Sequence, residues 1–195
     1  MGGAARADRP RLQRAQGEEV VSLPPAEIVP GRSCGSCTLC CKLMQVAELD
    51  KPSDRWCPHV LQGKGCGIYA ERPQSCHNFL CGYLSTAALS DTWYPARCKI
   101  VLSASDGGIT ALIDRSRPDV WRQAPYYEQF KSWSRVGSPK GRIMLVRIGR
   151  RAIVVLPDED VDLGEVDPSD AFFVDIAAGP AGPRFRVRAE RKGDA

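Results

Sequence analysis

The run Cys34-Gly-Ser-Cys37-Thr-Leu-Cys40-Cys41 sets four thiols within eight residues. A C-x2-C step turns tightly enough to bring two sulfurs to the same side of the chain, where both can grip one metal ion. Two overlapping steps place three sulfurs around one point. Cys40 and Cys41 are adjacent, so their side chains are expected to diverge, with Cys41 serving a second centre or donating from outside the first. Four further thiols follow at Cys57, Cys66, Cys76 and Cys81, with spacings of 9, 10 and 5 that fit no standard zinc-finger formula.

Two metal chemistries suit this set. In ferredoxin-type runs C-x2-C-x2-C is joined by a Cys-Pro ligand, and Cys34, Cys37 and Cys40 with Cys57-Pro58 supply those parts for an iron–sulfur cluster, although the fourth spacing departs from the bacterial form. Alternatively, the eight thiolates suffice for two tetrahedral Zn2+ sites of four cysteines each. Either arrangement leaves a buried negative charge of about −2 that N–H donors and cations must offset. Lys42, Arg55, Lys64 and Arg72 are the cations in reach along the chain. His59 and His77, each close to a cysteine, are alternative ligands or simply outward-facing side chains. Cys98 is expected to be a buried thiol at the entrance to a hairpin, with a ninth-ligand role as the alternative.

Other chemistries lack their residues. Radical S-adenosylmethionine chemistry needs cysteines at i, i+4 and i+7; Cys37 and Cys41 give the first step, but position 44 is Met44. The chain has neither a Gly-x-Ser-x-Gly elbow nor a P-loop. The Gly65–Gly67 pair brackets Cys66 and lacks the third glycine of a dinucleotide loop. The acidic group Asp158/Glu159/Asp160 reads as solvated charge. No catalytic constellation emerges, so the reading favours a protein that is not an enzyme on its own.

These residues resemble the YkgJ-like cysteine-cluster family, described as zinc- or iron-chelating domains. The family signature is C-x2-C-x2-C-C, a lone cysteine, and then a G-C-x-I-Y-x-x-R-P-x-x-C-x-x-F-x-C block. It is matched by Cys34, Cys37, Cys40, Cys41, Cys57, Cys66, Ile68, Tyr69, Arg72, Pro73, Cys76, Phe79 and Cys81, a span of about a quarter of the chain. His77 stands where the family often has arginine. The resemblance implies metal chelation through the eight cysteines without naming a reaction. A flagellin lysine methylase is similar in its cysteine cluster, but no methyltransferase feature accompanies the cluster here.

The rest of the sequence must position that cluster. Eight of the nine cysteines fall between Cys34 and Cys81, and the 195-residue chain carries 27 basic and 23 acidic residues for a net charge of +4. That is too mild for a dedicated nucleic-acid binder. An apolar signal core and a membrane-length apolar run are both absent, which predicts a cytoplasmic protein. In a reducing compartment, dense cysteine points to metal or redox chemistry rather than disulfides.

Residues 1–30 read as a flexible basic leader whose end, Glu27 to Val29, docks on the domain. Residues 31–98 read as a loop-rich metal-binding unit with short helices over Leu39–Glu48 and Leu80–Ala88, and residues 99–195 as an α+β region. There, Lys99–Ser103 and Ile109–Ile113 flank Ser105-Asp106-Gly107-Gly108, a hairpin signal. Asp119–Val136 reads as a helix, clearest after Pro125, with Tyr126, Phe130 and Trp133 on one buried face. Ile143–Ile148 and Ala152–Leu156 make a second hairpin, Asp158–Asp167 an acidic loop, and Ala171–Ile176 and Arg184–Arg188 two strands. The expected fold is therefore α+β: a metal-organised cysteine unit against an antiparallel sheet with one helix. The expected partner is an undefined protein, with no membrane association; Arg184–Arg188, Arg191 and Lys192 are the candidate contacts for nucleic acid.

Overall fold

A computed structural model describes residues 27–167, 170–180 and 182–190. Most of the predicted leader, Arg191 and Lys192 lie outside the described residues. The protein has an α+β fold built on a five-stranded sheet whose strands neighbour one another in chain order. Strands β3 (Ile100–Ser105) and β4 (Gly108–Ile113) form the first hairpin, and β5 (Ile143–Ile148) and β6 (Arg151–Val155) the second.

The sheet is mixed rather than purely antiparallel, because β4 pairs with β5 in parallel. A parallel pair needs a long crossover connection, usually helical. The segment between the hairpins supplies it through helix α5 (Tyr126–Gly137). The first part of the expected helix is a separate 3-10 turn, Val120–Arg122. The predicted acidic loop is also a strand, β7 (Asp160–Glu165), on the edge beside β6. Val161 and Leu163 turn inward while Asp162 meets Arg151. An edge strand accommodates such outward charges, which hid its alternation in the sequence.

Alternation of side chains gives the sheet two working faces. On one, Ile100, Leu102, Ala111, Ile113, Met144, Val146, Ile153 and Val155 pack against α5. As expected, Tyr126, Phe130 and Trp133 join this core, closing around Trp93 with ring centroids 4.9, 5.9 and 5.5 Å away. On the other face, the hairpin of β8 (Ala171–Gly179) and β9 (Gly182–Glu190) covers Leu145, Ala152 and Val154.

The cysteine unit wraps the β3 edge. Leu39 and Leu43 of helix α1 (Leu39–Leu43), with Phe79, pack against Val101 and Leu112 on the second face. Tyr83 of helix α3 (Gly82–Ser85) reaches the first face. Both helices are shorter than their predicted spans. The α1 helix stops where Val46 and Lys51 bridge backbones around the 3-10 turn Ala47–Leu49. The α3 helix stops because Arg32 donates to the carbonyls of Tyr83, Thr86, Ala87 and Leu89, drawing off acceptors that a longer helix would use. The Val29 N–H donates to the Leu84 carbonyl at 2.8 Å, so the end of the leader docks as expected.

Four small elements of the unit had no clear sequence signal. Strands β1 (Val60–Leu61) and β2 (Gly65–Cys66) pair antiparallel. Helix α2 (Gln74–Asn78) starts after Pro73, and the Glu48 carboxylate accepts hydrogen bonds from the Ser75 N–H at 3.0 Å and its hydroxyl at 2.8 Å. This borrowed carboxylate does the work of an N-cap side chain, and the same donors hold the Glu48 carboxyl below its usual range. Helix α4 (Pro95–Cys98) leads into β3.

Candidate metal centre

Each thiol reaches the site from its own local device. Cys34 and Cys37 sit on a turn closed by the Cys37 N–H to the Cys34 carbonyl at 2.8 Å. Cys40 and Cys41 ride on α1. The Cys57 N–H donates to the Cys41 carbonyl at 3.1 Å, anchoring the lone cysteine beside that helix. Cys66 lies in β2, Cys76 in α2, and Cys81 immediately before α3. The two halves of the motif meet at glycines: Gly65 has φ +113°, and a Cβ there would stand 2.9 Å from the Gly35 carbonyl oxygen. Any side chain at position 65 would push β2 away from the first turn.

The result is one cavity of about 150 Å³ lined by all eight cysteines, Cys34, Cys37, Cys40, Cys41, Cys57, Cys66, Cys76 and Cys81. All eight are half-buried, and none of the nine cysteines is bridged. No carboxylate or histidine contributes to the wall, so neither His59 nor His77 faces the cavity. Ile68, Tyr69, Arg72, Pro73 and Phe79 do line it. The motif residues between the cysteines are thus the wall of the same chamber. Cys98 stands apart: it is 2% exposed, belongs to the sheet core, and its thiol lies 3.5 Å from both the Trp93 and Ile100 carbonyls.

Cys41 lines the same cavity as the other seven and is an electrostatic neighbour of Cys34, Cys37, Cys40 and Cys76. Although adjacent residues on a helix point in different directions, the cavity wraps far enough around α1 to take both.

The electrostatics are those of a chamber that resists bare thiolates. Burial pushes the Cys34, Cys37, Cys76 and Cys81 thiols up, because charge is disfavoured away from water. The interaction between Cys40 and Cys41 raises the Cys40 thiol and lowers the Cys41 thiol, with Lys51 adding to the lowering.

Two cations face these sulfurs, and one of them was not foreseen. Arg72 lines the cavity, acts on Cys34, donates to the Tyr69 carbonyl at 2.6 Å, and stacks 4.0 Å from the centre of the Tyr69 ring. The Tyr69 side chain in turn favours the Cys34 thiolate, against the larger effect of burial. The unforeseen cation is Lys51, 4% exposed, whose ammonium is fixed by the carbonyls of Lys42 at 3.2 Å, Pro52 at 3.1 Å and Met44. It is an electrostatic neighbour of Cys57, Cys41 and Cys40. The preference of helix C-termini for cations was the only sequence signal for it.

The other expected cations serve elsewhere. Lys42 pairs with Asp114 at 2.7 Å, Arg55 opens onto a different groove, and Lys64 sits in the β1–β2 turn. In β9, Arg188 is paired with Asp175 at 3.3 Å and with Glu190.

The donor chemistry fits a soft metal or an iron–sulfur centre: eight sulfur donors, an apolar surround and two opposing cations. Among the described residues, however, no three cysteine, histidine, aspartate or glutamate side chains are drawn together closely enough to hold an ion. The sulfurs share a chamber without converging on one point. No described helix is long and apolar enough to cross a membrane. Comparison with known proteins finds no matching family model, curated protein or solved structure.

Proposed function

We propose that this chain is a metal-binding protein of a reducing compartment such as the cytoplasm. In this reading its eight thiols hold an iron–sulfur cluster for electron transfer, sensing or metal handling. The observation that carries the proposal is the single chamber lined by all eight cysteines. Two independent four-cysteine zinc sites would close tightly around their ions, since Zn–S bonds are about 2.3 Å long. A shared void with room for several water-sized atoms suits a polynuclear centre better. The YkgJ-like motif supports the same reading, because its non-cysteine members form the chamber wall.

The residues that would hold the group are Cys34, Cys37, Cys40, Cys41, Cys57, Cys66, Cys76 and Cys81. A bound cluster would supply one-electron chemistry. The chain's own contribution is electrostatic. Arg72 and Lys51 offset thiolate charge, Tyr69 favours the Cys34 thiolate, and the apolar wall limits water.

Anaerobic purification without affinity-resin nickel, followed by visible absorption and assay of iron and acid-labile sulfide, tests the proposal. Coloured protein with iron and sulfide is expected, lost in Cys34→Ala and Cys76→Ala but kept in Cys98→Ala. Colourless protein with stoichiometric zinc would overturn the iron–sulfur reading and leave a structural zinc module that mediates contacts with protein or nucleic acid. Loss of metal in Cys98→Ala with a silent Cys41→Ala would refute the partition of the thiols.

A further inference from the structure

A second hollow lies on the other side of the Met44–Gln45 segment, and those two residues line both it and the thiol chamber. It is a groove of about 800 Å³ between the cysteine unit and the β5–β6 turn. Its charged residues are four arginines, Arg55, Arg115, Arg147 and Arg150, against one aspartate, Asp54. We propose that this groove binds a small phosphorylated anion of nucleotide size, carrying two or more negative charges. The site is independent of whether the thiols hold iron, zinc or neither.

The arginines are unevenly engaged, and that is the first argument. Asp54 lies 3.6 Å from Arg115. Arg55 and Arg150 make no side-chain hydrogen bond, ion pair or ring contact with a described residue. Arg147 is half-buried on β5, and burial disfavours its charge; only the more distant fields of Asp170 and Asp167 oppose that cost. Elsewhere, Arg122, Arg151 and Arg188 are each ion-paired. Two unpaired guanidinium groups, Arg55 and Arg150, with Arg147 and Arg115 in the same concavity, leave a surplus of positive charge and planar donor forks, the geometry that suits phosphate oxygens.

The second argument is construction. Gly149 has φ +62°, and a Cβ there would collide with the Arg115 guanidinium, which passes directly over it. The guanidinium of Arg115 thus lies against the turn between β5 and β6, in the groove wall. The third argument is size. A volume of about 800 Å³ lies within the roughly 300–1,000 Å³ range of small-molecule sites. A nucleic-acid strand would instead need a positive track running beyond the groove, and none of the residues lining the groove comes from β9, the strand that carries Arg184, Arg186 and Arg188.

Calorimetric titration of the full chain with pyrophosphate, with ATP and with a twelve-residue oligothymidylate separates the possibilities. At low salt, pyrophosphate and ATP are expected to bind, and added salt to weaken both. Arg147→Gln/Arg150→Gln is expected to lose about tenfold or more in affinity for both. Arg55→Gln/Arg150→Gln alters only exposed side chains, so it should fold normally and show the same direction of loss. Circular dichroism checks both variants. The proposal is overturned if neither pyrophosphate nor ATP binds at millimolar concentration, or if folded variants bind as well as the parent. It is also overturned if the oligothymidylate binds more tightly than ATP with an affinity that grows with its length, which would make the groove part of a nucleic-acid track.

Discussion

Replacing Lys51 with methionine removes a buried charge while nearly preserving volume, and it separates two jobs of this side chain. The ammonium donates to three carbonyls at and beyond the end of α1, those of Lys42, Met44 and Pro52. A hydrogen bond to a charged group contributes about 1.5–3 kcal/mol, and a buried acceptor left without its donor costs roughly 1–3 kcal/mol. Against this stands the cost of burying the ammonium, visible in the lowered Lys51 pKa, which methionine does not incur. The net expectation for Lys51→Met is a loss of about 2–4 kcal/mol. Urea denaturation of the reduced, metal-free protein measures it. The second job is to favour the Cys41 thiolate. The interaction with Cys40 is the larger cause of its acidity and Lys51 a smaller one. Peptide-mapped alkylation against pH should therefore show Cys41 reacting at higher pH in the variant, with part of its acidity kept. A loss below about 0.5 kcal/mol together with an unchanged Cys41 profile would refute this account, because a loss that small is typical of surface substitutions.

Metal loading should release several protons at pH 7, since burial keeps most of the chamber's thiols protonated and ligands must be thiolates; a pH-indicator titration with metal counts them. Asp114 should contribute to acid stability. Burial alone would raise its pKa, but the Lys42 and Ser116 hydrogen bonds outweigh that and lower it. Its stabilisation is present above the unfolded value near 3.9 and is lost as pH falls through the lower folded value. Asp114→Asn should thus be less stable at pH 7 by about 1–2 kcal/mol and lose less on acidification below pH 4, as read by denaturation at several pH values. Cys98→Ala should cost about 1–2 kcal/mol from loss of buried sulfur in the core, measured by thermal or urea unfolding, with the other eight thiols equally accessible to alkylation.

Elements whose signals are local were readable. The turn Ser105-Asp106-Gly107-Gly108 marked the first hairpin, and the spacing of Tyr126, Phe130 and Trp133 marked the buried face of α5. The eight-plus-one division of the cysteines followed from spacing and motif, and it agrees with the one chamber and the isolated Cys98. The missed features depend on distant partners. Strand β7 carries acidic residues that an edge position and Arg151 make tolerable. The α1 and α3 helices end early because of Lys51 and Arg32, whose side chains take up carbonyls at the ends of these short helices.

The sequence by itself therefore determined which atoms are available for chemistry, because ligand type is a property of the residue and a C-x2-C step fixes the local turn. It also determined the two hairpins and the helix between them. Only the tertiary structure decided that eight thiols from six local devices face one void, with Cys41 among them and both histidines outside. It alone chose Arg72 and Lys51, rather than Lys42, Arg55 or Lys64, as the cations beside the sulfurs. The physical reason is that a charge acts over ångströms of space and a void has no sequence; both exist only once β3 has brought the cysteine unit onto the sheet.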